Sequence, residues 1–130
     1  MSTDEQVEQE IQAKNLTAPR VTPGDIEAEI RSEWYFTAAD GAHERFVEMK
    51  GDSPFTPGNE ALQQLTFCVL VLRNGFTVTG ESACASPENF DAEIGRKIAR
   101  QHAADKIWPL LGFRLRDQLA NRPLGTVVTE

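Results

Sequence analysis

Apolar and polar positions in the middle of the chain predict two neighbouring strands. Residues 65–72 (LTFCVLVL) are apolar on both faces of an extended chain, which is typical of a strand covered on both sides. Phe76 to Ser82 alternates, which indicates a half-buried strand. Between them lies Asn74-Gly75, a dipeptide that favours a two-residue type I′ turn because both residues tolerate positive φ. The sequence therefore predicts an antiparallel β-hairpin.

A two-residue turn also sets the pairs across this hairpin. It places Val71 opposite Val78, and Leu70 opposite Thr79. Gly80, opposite Val69, is expected to mark a bulge or a close approach of another backbone. Two strands are not stable alone in water, so other segments or a second subunit must complete the sheet.

A shorter helix is predicted near the N-terminus. Thr22-Pro23-Gly24-Asp25 combines an N-cap residue, a proline at the first helical position and an acidic side chain in the first turn. Ile26, Ile30 and Trp34 follow at intervals of four, which predicts a helix over residues 23–34. Tyr35-Phe36-Thr37 then either closes that helix or opens a strand.

A longer helix is predicted from Pro87 to Trp108, with its clear start near Asn89-Phe90-Asp91. Its large apolar residues share one side: Phe90, Ile94 and Ile98. Its small residues lie nearly opposite: Ala92, Ala99 and Ala103. Two interpretations of the alanine face stay open. It allows another backbone or a flat ligand to come close, or it only reflects that alanine is the best helix former.

The remaining segments carry weaker patterns. Ala38 to Glu60 is predicted to be a long loop that contains one short strand at residues 45–49. Pro109 is expected to end or kink the long helix, and residues 113–116 alternate like a short strand.

The fold class that follows is α+β. An antiparallel, hairpin-based sheet packs with a long C-terminal helix and a shorter N-terminal helix, and the protein is expected to be oligomeric. Residues 20–120 form a single domain, residues 1–19 are a mobile acidic arm or a frayed helix, and residues 121–130 are a flexible tail.

Charge divides the chain into an acidic and a basic region. The 130 residues have a formal net charge of −7, which argues against nonspecific binding to nucleic acid polymers. Residues 1–66 contain 13 acidic and 5 basic side chains, whereas residues 90–123 contain 4 acidic and 7 basic ones. The basic region indicates either a local anion site or solvated helix faces. No apolar run approaches the length of a membrane span, and the polar N-terminus does not resemble a signal peptide, so we expect a location in the cytoplasm.

Familiar catalytic and metal-binding patterns are missing from the sequence. His43 and His102 are far apart and have no cysteine or carboxylate at metal-ligand spacing. Neither Ser82 nor Ser86 lies in a nucleophile-elbow context. We therefore expect no metal, no cofactor and no catalytic residue, and a binding protein that is not an enzyme.

The residues that remain resemble a recognition surface for a nucleotide. Phe76 leaves the hairpin turn beside Arg73 and offers a ring for a base to stack on, although ordinary cross-strand packing would equally explain it. Arginines and helix-start N–H groups suit phosphates. The candidate ligand-binding residues are Arg20, Arg73, Phe76, Ser86, Asn89, Arg96, Lys97 and Arg100.

Several segments resemble a widespread family of small tailed-phage and prophage proteins of long-unknown function. They are RVTPGDIEAEI, WYFTAADG, NGFTVTGESAC, ENFDAEIGRKIA and IWPLLGFRLR. The resemblance leaves out the first 19 residues and residues 42–63, and it extends to the first-described type of Thoeris anti-defence protein. Proteins of that type are oligomeric sponges that sequester cyclic ADP-ribose isomers, and some also hold cyclic oligonucleotides.

The resemblance implies roles for particular residues. The phenylalanine after the hairpin turn is Phe76, the arginine before the first helix is Arg20, and the cations of the long helix are Arg96, Lys97 and Arg100. Ser86 stands where the family often has asparagine or aspartate before the proline, which puts a hydrogen bond to the ligand in doubt.

The expected function is therefore a phage sponge that binds a signalling nucleotide without turnover and assembles at least as a homodimer. Two alternatives remain. The first is a phage structural or regulatory protein that binds a host protein through its acidic surface, and the second is a nucleotide hydrolase.

Overall fold

A computed structural model of the chain describes residues 3–16, 18–49 and 60–122. Its elements in chain order are α1 (Thr3–Ala13), α2 (Pro23–Glu29), β1 (Ile30–Thr37), α3 (Ala38–Met49), α4 (Glu60–Gln63), β2 (Leu65–Leu72), β3 (Thr77–Ala83), a 3-10 turn (Pro87–Asn89), α5 (Ala92–Asp105) and α6 (Ile107–Ala120). They belong to two compact units. The first unit comprises residues 1–29 and 107–130, and the second comprises residues 30–106.

The second unit contains the sheet. Its three strands are antiparallel in the order β1-β2-β3, and α5 packs against β2 and β3. This architecture confirms the predicted α+β class, and β2 has the bounds that the apolar run predicts. The four residues Thr66, Cys68, Leu70 and Leu72 point to the buried side of β2, as the alternation of a strand requires.

The third strand comes from a segment that the sequence assigned to a helix. The predicted helix over 23–34 was wrong beyond Glu29, because the chain from Ile30 onward pairs with β2. Trp34, Tyr35 and Phe36 are aromatic residues that favour strands, and pairing with an apolar neighbour outweighs the four-residue spacing. The sheet is thus completed within the chain.

The turn of the hairpin differs from the prediction by one residue. The N–H of Leu72 donates to the carbonyl of Phe76 at 2.8 Å, which leaves three residues in the loop. Gly75 has a φ of +91°, whereas Asn74 is not in the positive-φ region. The predicted type I′ turn was therefore wrong, and the loop is of the three-residue kind that has glycine in the left-handed region.

The longer loop shifts every pair across the hairpin. Leu70 faces Val78, and Gly80 faces Cys68 instead of the predicted Val69. A shift of one residue moves a side chain to the other face of a sheet, so Val78 and Gly80 point toward α5. Gly80 does mark a close approach, because a methyl group there would collide with the backbone of α5 at Ala99 and Ala103.

The alanine face of α5 explains this approach. Ala99 and Ala103 are both 0% exposed, whereas Ile94 and Ile98 on the opposite side are 55% and 42% exposed. The interpretation that small residues admit another backbone is confirmed, and that backbone is the chain's own β3 at Gly80. Ala99 and Ala103 are thus covered by the chain's own sheet and offer no surface to a neighbouring subunit.

The long predicted helix is divided in the structure. Pro87 to Asn89 form a 3-10 turn, and α5 begins after Asp91, whose carboxylate accepts a hydrogen bond from the N–H of Ile94 at 2.9 Å. The division from α6 falls at Lys106. Pro109 lies in the first turn of α6, where its missing N–H costs no helical hydrogen bond, so it does not end a helix.

Two predicted strands are helical. Residues 45–49 belong to α3, and residues 113–116 belong to α6. Short alternating runs do not distinguish a strand from a turn of helix, and neither segment has a strand beside it to pair with among the described residues. The rest of the predicted loop at residues 50–59 lies outside the described residues.

The first unit contains packed helices and an ion pair between α2 and α6. α2 packs against α6, and each helix buries a residue, Ile26 and Leu111 respectively. Arg114 contacts both carboxylate oxygens of Glu29, at 3.0 and 3.1 Å, and Glu29 is only 3% exposed. Within the predicted arm at residues 1–19, α1 forms a helix. The predicted tail lies outside the described residues from position 123 onward.

Candidate ligand-binding site

The eight predicted binding residues do not form one cluster. Arg73 and Phe76 lie at the hairpin loop, next to the last residue of β2. Arg96 lies beside Thr66, near the first residue of the same strand. Thr66 and Leu72 are six positions apart along the strand, which corresponds to about 20 Å. The second unit therefore carries two separate places where a ligand could bind.

Phe76 is presented at the tip of the hairpin. Its side chain is 54% exposed, so Phe76 does not lie in the core. Its backbone N–H donates to Oδ1 of Asn74 at 2.9 Å, and the positive φ of Gly75 turns the chain just before it. Arg73 is exposed in the same loop. We call these residues the hairpin tip, Arg73 to Phe76.

The guanidinium of Arg100 is paired with a carboxylate of the sheet. Its Nε and Nη2 donate to the two carboxylate oxygens of Glu33 at 3.1 and 2.9 Å. The Tyr35 hydroxyl donates to Oε1 of Glu33 at 2.8 Å. Arg100 holds the pKa of Glu33 below its usual value, and burial raises the pKa values of Tyr35 and Cys68. Arg100 thus attaches α5 to β1.

The guanidinium of Arg20 is likewise paired with a carboxylate, within the first unit. Its two terminal nitrogens donate to the carboxylate oxygens of Glu8 at 2.6 and 2.8 Å, and its Nε donates to the carbonyl of Leu16. The hydrogen bond from Arg20 lowers the pKa of Glu8 to about 2. A phosphate would have to displace a carboxylate to bind either Arg20 or Arg100.

The other predicted residues near the start of α5 have simple local roles. The hydroxyl of Ser86 donates to Glu88 at 2.8 Å within the 3-10 turn, and Asn89 is exposed at the end of that turn. Lys97 lies 3.6 Å from Glu93, one helical turn away, and both side chains are mostly exposed. Such an exposed pair contributes little to stability.

A cavity of about 200 Å³ lies where β1, β2 and α5 meet. We call it the Phe90 pocket. Its lining residues are Tyr35, Phe36, Thr37, Asp40, Thr66, Phe90, Ala92 and Arg96. The rings of Tyr35 and Phe90 therefore meet one guanidinium, one carboxylate and the hydroxyl groups of Thr37 and Thr66.

The corner between β1 and α3 is fixed by reciprocal hydrogen bonds. The N–H of Thr37 donates to Oδ2 of Asp40 at 2.8 Å, and the N–H of Asp40 donates to Oγ1 of Thr37 at 3.2 Å. This arrangement is a capping box, which satisfies helix-start donors in pairs. The ring of Phe36 lies 5.7 Å from that of Phe67, and both are on the face of the sheet away from α5.

Two polar groups in the pocket have no partner among the described residues. Thr66 is only 3% exposed, and its hydroxyl forms no hydrogen bond to any described residue. Arg96 is exposed and forms no ion pair within the described part of the chain. A methyl group at Gly95 would lie 3.1 Å from Thr66 Oγ1, so α5 passes close over this hydroxyl.

Sequence analysis identified only Arg96 among the residues of this pocket. Phe90 was noted as part of an apolar stripe and Ala92 as part of the small-residue face, and the other lining residues were missed. The available signal was the segment WYFTAAD, in which adjacent aromatic residues precede a Thr-x-x-Asp capping pattern. The described residues contain no group of metal-ligating side chains. None of their helices is long and apolar enough to cross a membrane.

Comparison with known proteins places the chain among phage proteins. The model of the phage protein (N4 Gp49/phage Sf6 gene 66) family matches residues 21–119. The chain belongs to this family. Neither the curated proteins nor the solved structures contain a match. The N4 Gp49/phage Sf6 gene 66 match spans the whole second unit, and it confirms the part of the sequence resemblance that concerns phage proteins.

Proposed function

We propose that this phage protein is a sponge that binds a signalling nucleotide of the host and holds it without turnover. The ligand class is a cyclic ADP-ribose isomer or a cyclic oligonucleotide. The observation that supports the proposal most directly is the exposed ring of Phe76 at the hairpin tip. Membership of the N4 Gp49/phage Sf6 gene 66 family agrees with a phage role.

The hairpin tip has the features that base stacking requires. A base on an aromatic ring contributes about 1–3 kcal/mol of binding free energy. The ring is mounted on a short turn between two paired strands, so little conformational freedom is lost when a ligand binds. Arg73 in the same loop supplies a charge for phosphate.

Tight sequestration requires more than one stacked base. Nanomolar affinity corresponds to about −12 kcal/mol, which one exposed ring does not supply. The proposal therefore includes at least a homodimer, in which a second copy encloses the ligand. Trp34 and Phe36 are 60% and 42% exposed, and they lie on the face of the sheet away from α5, where they offer apolar surface for assembly. No catalytic group is needed for this function.

The test is calorimetric titration of the purified protein with cyclic ADP-ribose isomers and cyclic dinucleotides. We expect one of them to bind, and we expect Phe76→Ala to weaken it by about 1–3 kcal/mol without loss of fold. Phe113→Ala is the matched control, because Phe113 is 72% exposed but lies on α6 in the first unit. It should leave the affinity unchanged.

Three results would contradict the proposal. Equal effects of Phe76→Ala and Phe113→Ala would remove the hairpin tip as the site. Failure of every nucleotide to bind would favour the structural or regulatory role through the acidic surface. A bound nucleotide released by heating as a product, and not intact, would identify a hydrolase.

A further inference from the structure

The Phe90 pocket is lined by flat apolar walls. Tyr35 and Phe90 contribute two rings from two distant parts of the chain. The Tyr35 hydroxyl donates to Glu33, and the Phe90 ring lies close to α5, where a methyl group at Gly95 would be 3.9 Å from its Cε1, so both rings are held by neighbouring elements. Rings held in this way suit a planar aromatic guest, because stacking requires flat and immobile partners.

The hydroxyl of Thr66 favours the binding of a polar ligand atom in the pocket. A buried hydroxyl without a hydrogen-bond partner is unfavourable, because it has lost its water and gained nothing in return. Thr66 is only 3% exposed, and it lines the cavity without a hydrogen-bond partner among the described residues. A ligand atom that donates or accepts a hydrogen bond would remove this cost.

Arg96 supplies a positive charge at the same cavity. It is exposed, and it is not paired with any carboxylate in the described residues. Arg100 lies one turn later on α5, and two of its guanidinium nitrogens donate to the carboxylate of Glu33. The two arginines therefore differ in role, and only Arg96 among them has its guanidinium available for a ligand anion.

The size of the cavity limits the guest. About 200 Å³ is smaller than the roughly 300–1,000 Å³ of sites for drug-sized ligands. A single ring system fits within it, whereas a complete dinucleotide does not.

We infer that the Phe90 pocket binds a small planar aromatic anion, with the ring between Phe90 and Tyr35, a polar ring atom on Thr66, and the acidic group on Arg96. The pocket is separate from the hairpin tip and does not depend on the proposed sponge function. A nucleoside monophosphate and an aromatic carboxylate share this chemistry, and the experiment distinguishes them.

The test uses two pairs of probes that differ in their charge. One pair is adenosine 5′-monophosphate and adenosine, and the other is indole-3-acetate and 3-methylindole. Ligand-observed NMR titration at up to millimolar concentration gives an affinity for each. We expect the anion of one pair to bind at least about tenfold more tightly than its neutral partner, which is the lower range for a hydrogen bond to a charged group. The pair that shows this preference identifies the source of the ligand.

Charge variants on the same helix assign the preference to one residue. In Arg96→Gln the tenfold preference for the anion should disappear. Lys106→Gln is the matched control, because it removes the same charge at the opposite end of α5. Loss of the preference in both variants would show an unspecific charge effect and would overturn the inference, as would failure of both anions to bind.

Thr66 gives a readout that a purely structural role would not produce. Thr66→Val removes the unpartnered hydroxyl at nearly constant shape, so the free protein should keep or raise its melting temperature while ligand affinity falls several-fold. Thr66→Ser keeps a hydroxyl and should retain affinity. Unchanged affinity in Thr66→Val would overturn the assignment. Phe76→Ala should leave all these affinities as they are, so failure of the sponge proposal and failure of this inference are distinguishable.

Discussion

The two faces of α5 are built in opposite ways. The face toward the sheet carries Ala99 and Ala103, which are fully buried, whereas the opposite face carries Ile94 and Ile98, which are about half exposed. A pattern of hydrophobicity alone would place the isoleucines in the core. The comparison shows that the distance between backbones decides which face is buried.

Gly80 sets that distance. Without a side chain at this point of β3, the helix comes so close that its own backbone at Ala99 and Ala103 lies where a methyl group would be. Larger residues on that face of α5 would hold the helix away and open voids, which close-packed interiors do not tolerate. Small residues on both partners are therefore a requirement of this packing.

The largest effect is expected where this contact is broken. Gly80→Ala places a methyl group against the backbone of α5 and should lower the free energy of unfolding by about 1–3 kcal/mol or more. Gly112→Ala is the matched control, since a methyl group at Gly112 meets nothing within 4 Å and alanine favours a helix. It should raise stability by up to about 1 kcal/mol. Urea denaturation measures both, and the same sign in the two variants would contradict the packing argument.

The next effect separates two cations of α5. Arg100→Gln removes the forked contact with Glu33 and should cost about 1 kcal/mol, because both side chains are partly exposed to solvent. Lys97→Gln removes only the exposed pair with Glu93 and should change stability by less than about 0.5 kcal/mol. Equal losses in the two variants would mean that Arg100 does not anchor α5 to β1.

The pH dependence of stability tests the Arg100–Glu33 ion pair in a second way, with a smaller expected effect. The pKa of Glu33 is lowered in the folded protein by Arg100, so the ion pair stabilises fully above the unfolded pKa of about 4.3. This contribution is lost as the pH falls through the lower folded value. The stability of the wild-type protein should therefore fall more steeply below about pH 4 than that of Arg100→Gln. If urea denaturation gave the same pH dependence of unfolding free energy for both proteins, the ion pair would not contribute in this way.

The smallest effect is expected on the outer face. Ile94→Gln should change the free energy of unfolding by no more than about 0.5 kcal/mol, because the side chain is 55% exposed and glutamine is at least as good a helix former. Thermal unfolding of the dilute protein checks this. A loss above about 2 kcal/mol would show that Ile94 is buried in the protein as it exists in solution.

Elements with continuous local signals were predictable from the sequence. β2 is an unbroken apolar run, and α5 starts at the Asp91 cap close to where its pattern begins. β1 was not predictable in the same way. Ile30 and Trp34 are four residues apart, and this spacing fits both one face of a helix and one face of a strand. Only pairing with β2 decides between them.

The register and the pocket depended on information that is not local. Asn74-Gly75 fits both a two-residue and a three-residue loop, and the choice moves Val78 and Gly80 from one face to the other. The Phe90 pocket gathers residues from 35–40, 66 and 90–96, and their meeting follows from strand order and from the closeness of α5. Arg96 was found because cations on a helix are visible in sequence. The lack of a hydrogen-bond partner for the Thr66 hydroxyl could not be seen in the sequence.

The two tryptophans of the chain make the division into two units observable by fluorescence. Trp108 belongs to the first unit and Trp34 to the second, so each unit contains one intrinsic reporter. Trp34 is 60% exposed and emits from a largely aqueous environment, whereas Trp108 is more sheltered. Single-tryptophan variants therefore record the unfolding of each unit separately. Coincident transitions would show that the two units unfold as one cooperative body, and separate transitions would show that each is stable on its own.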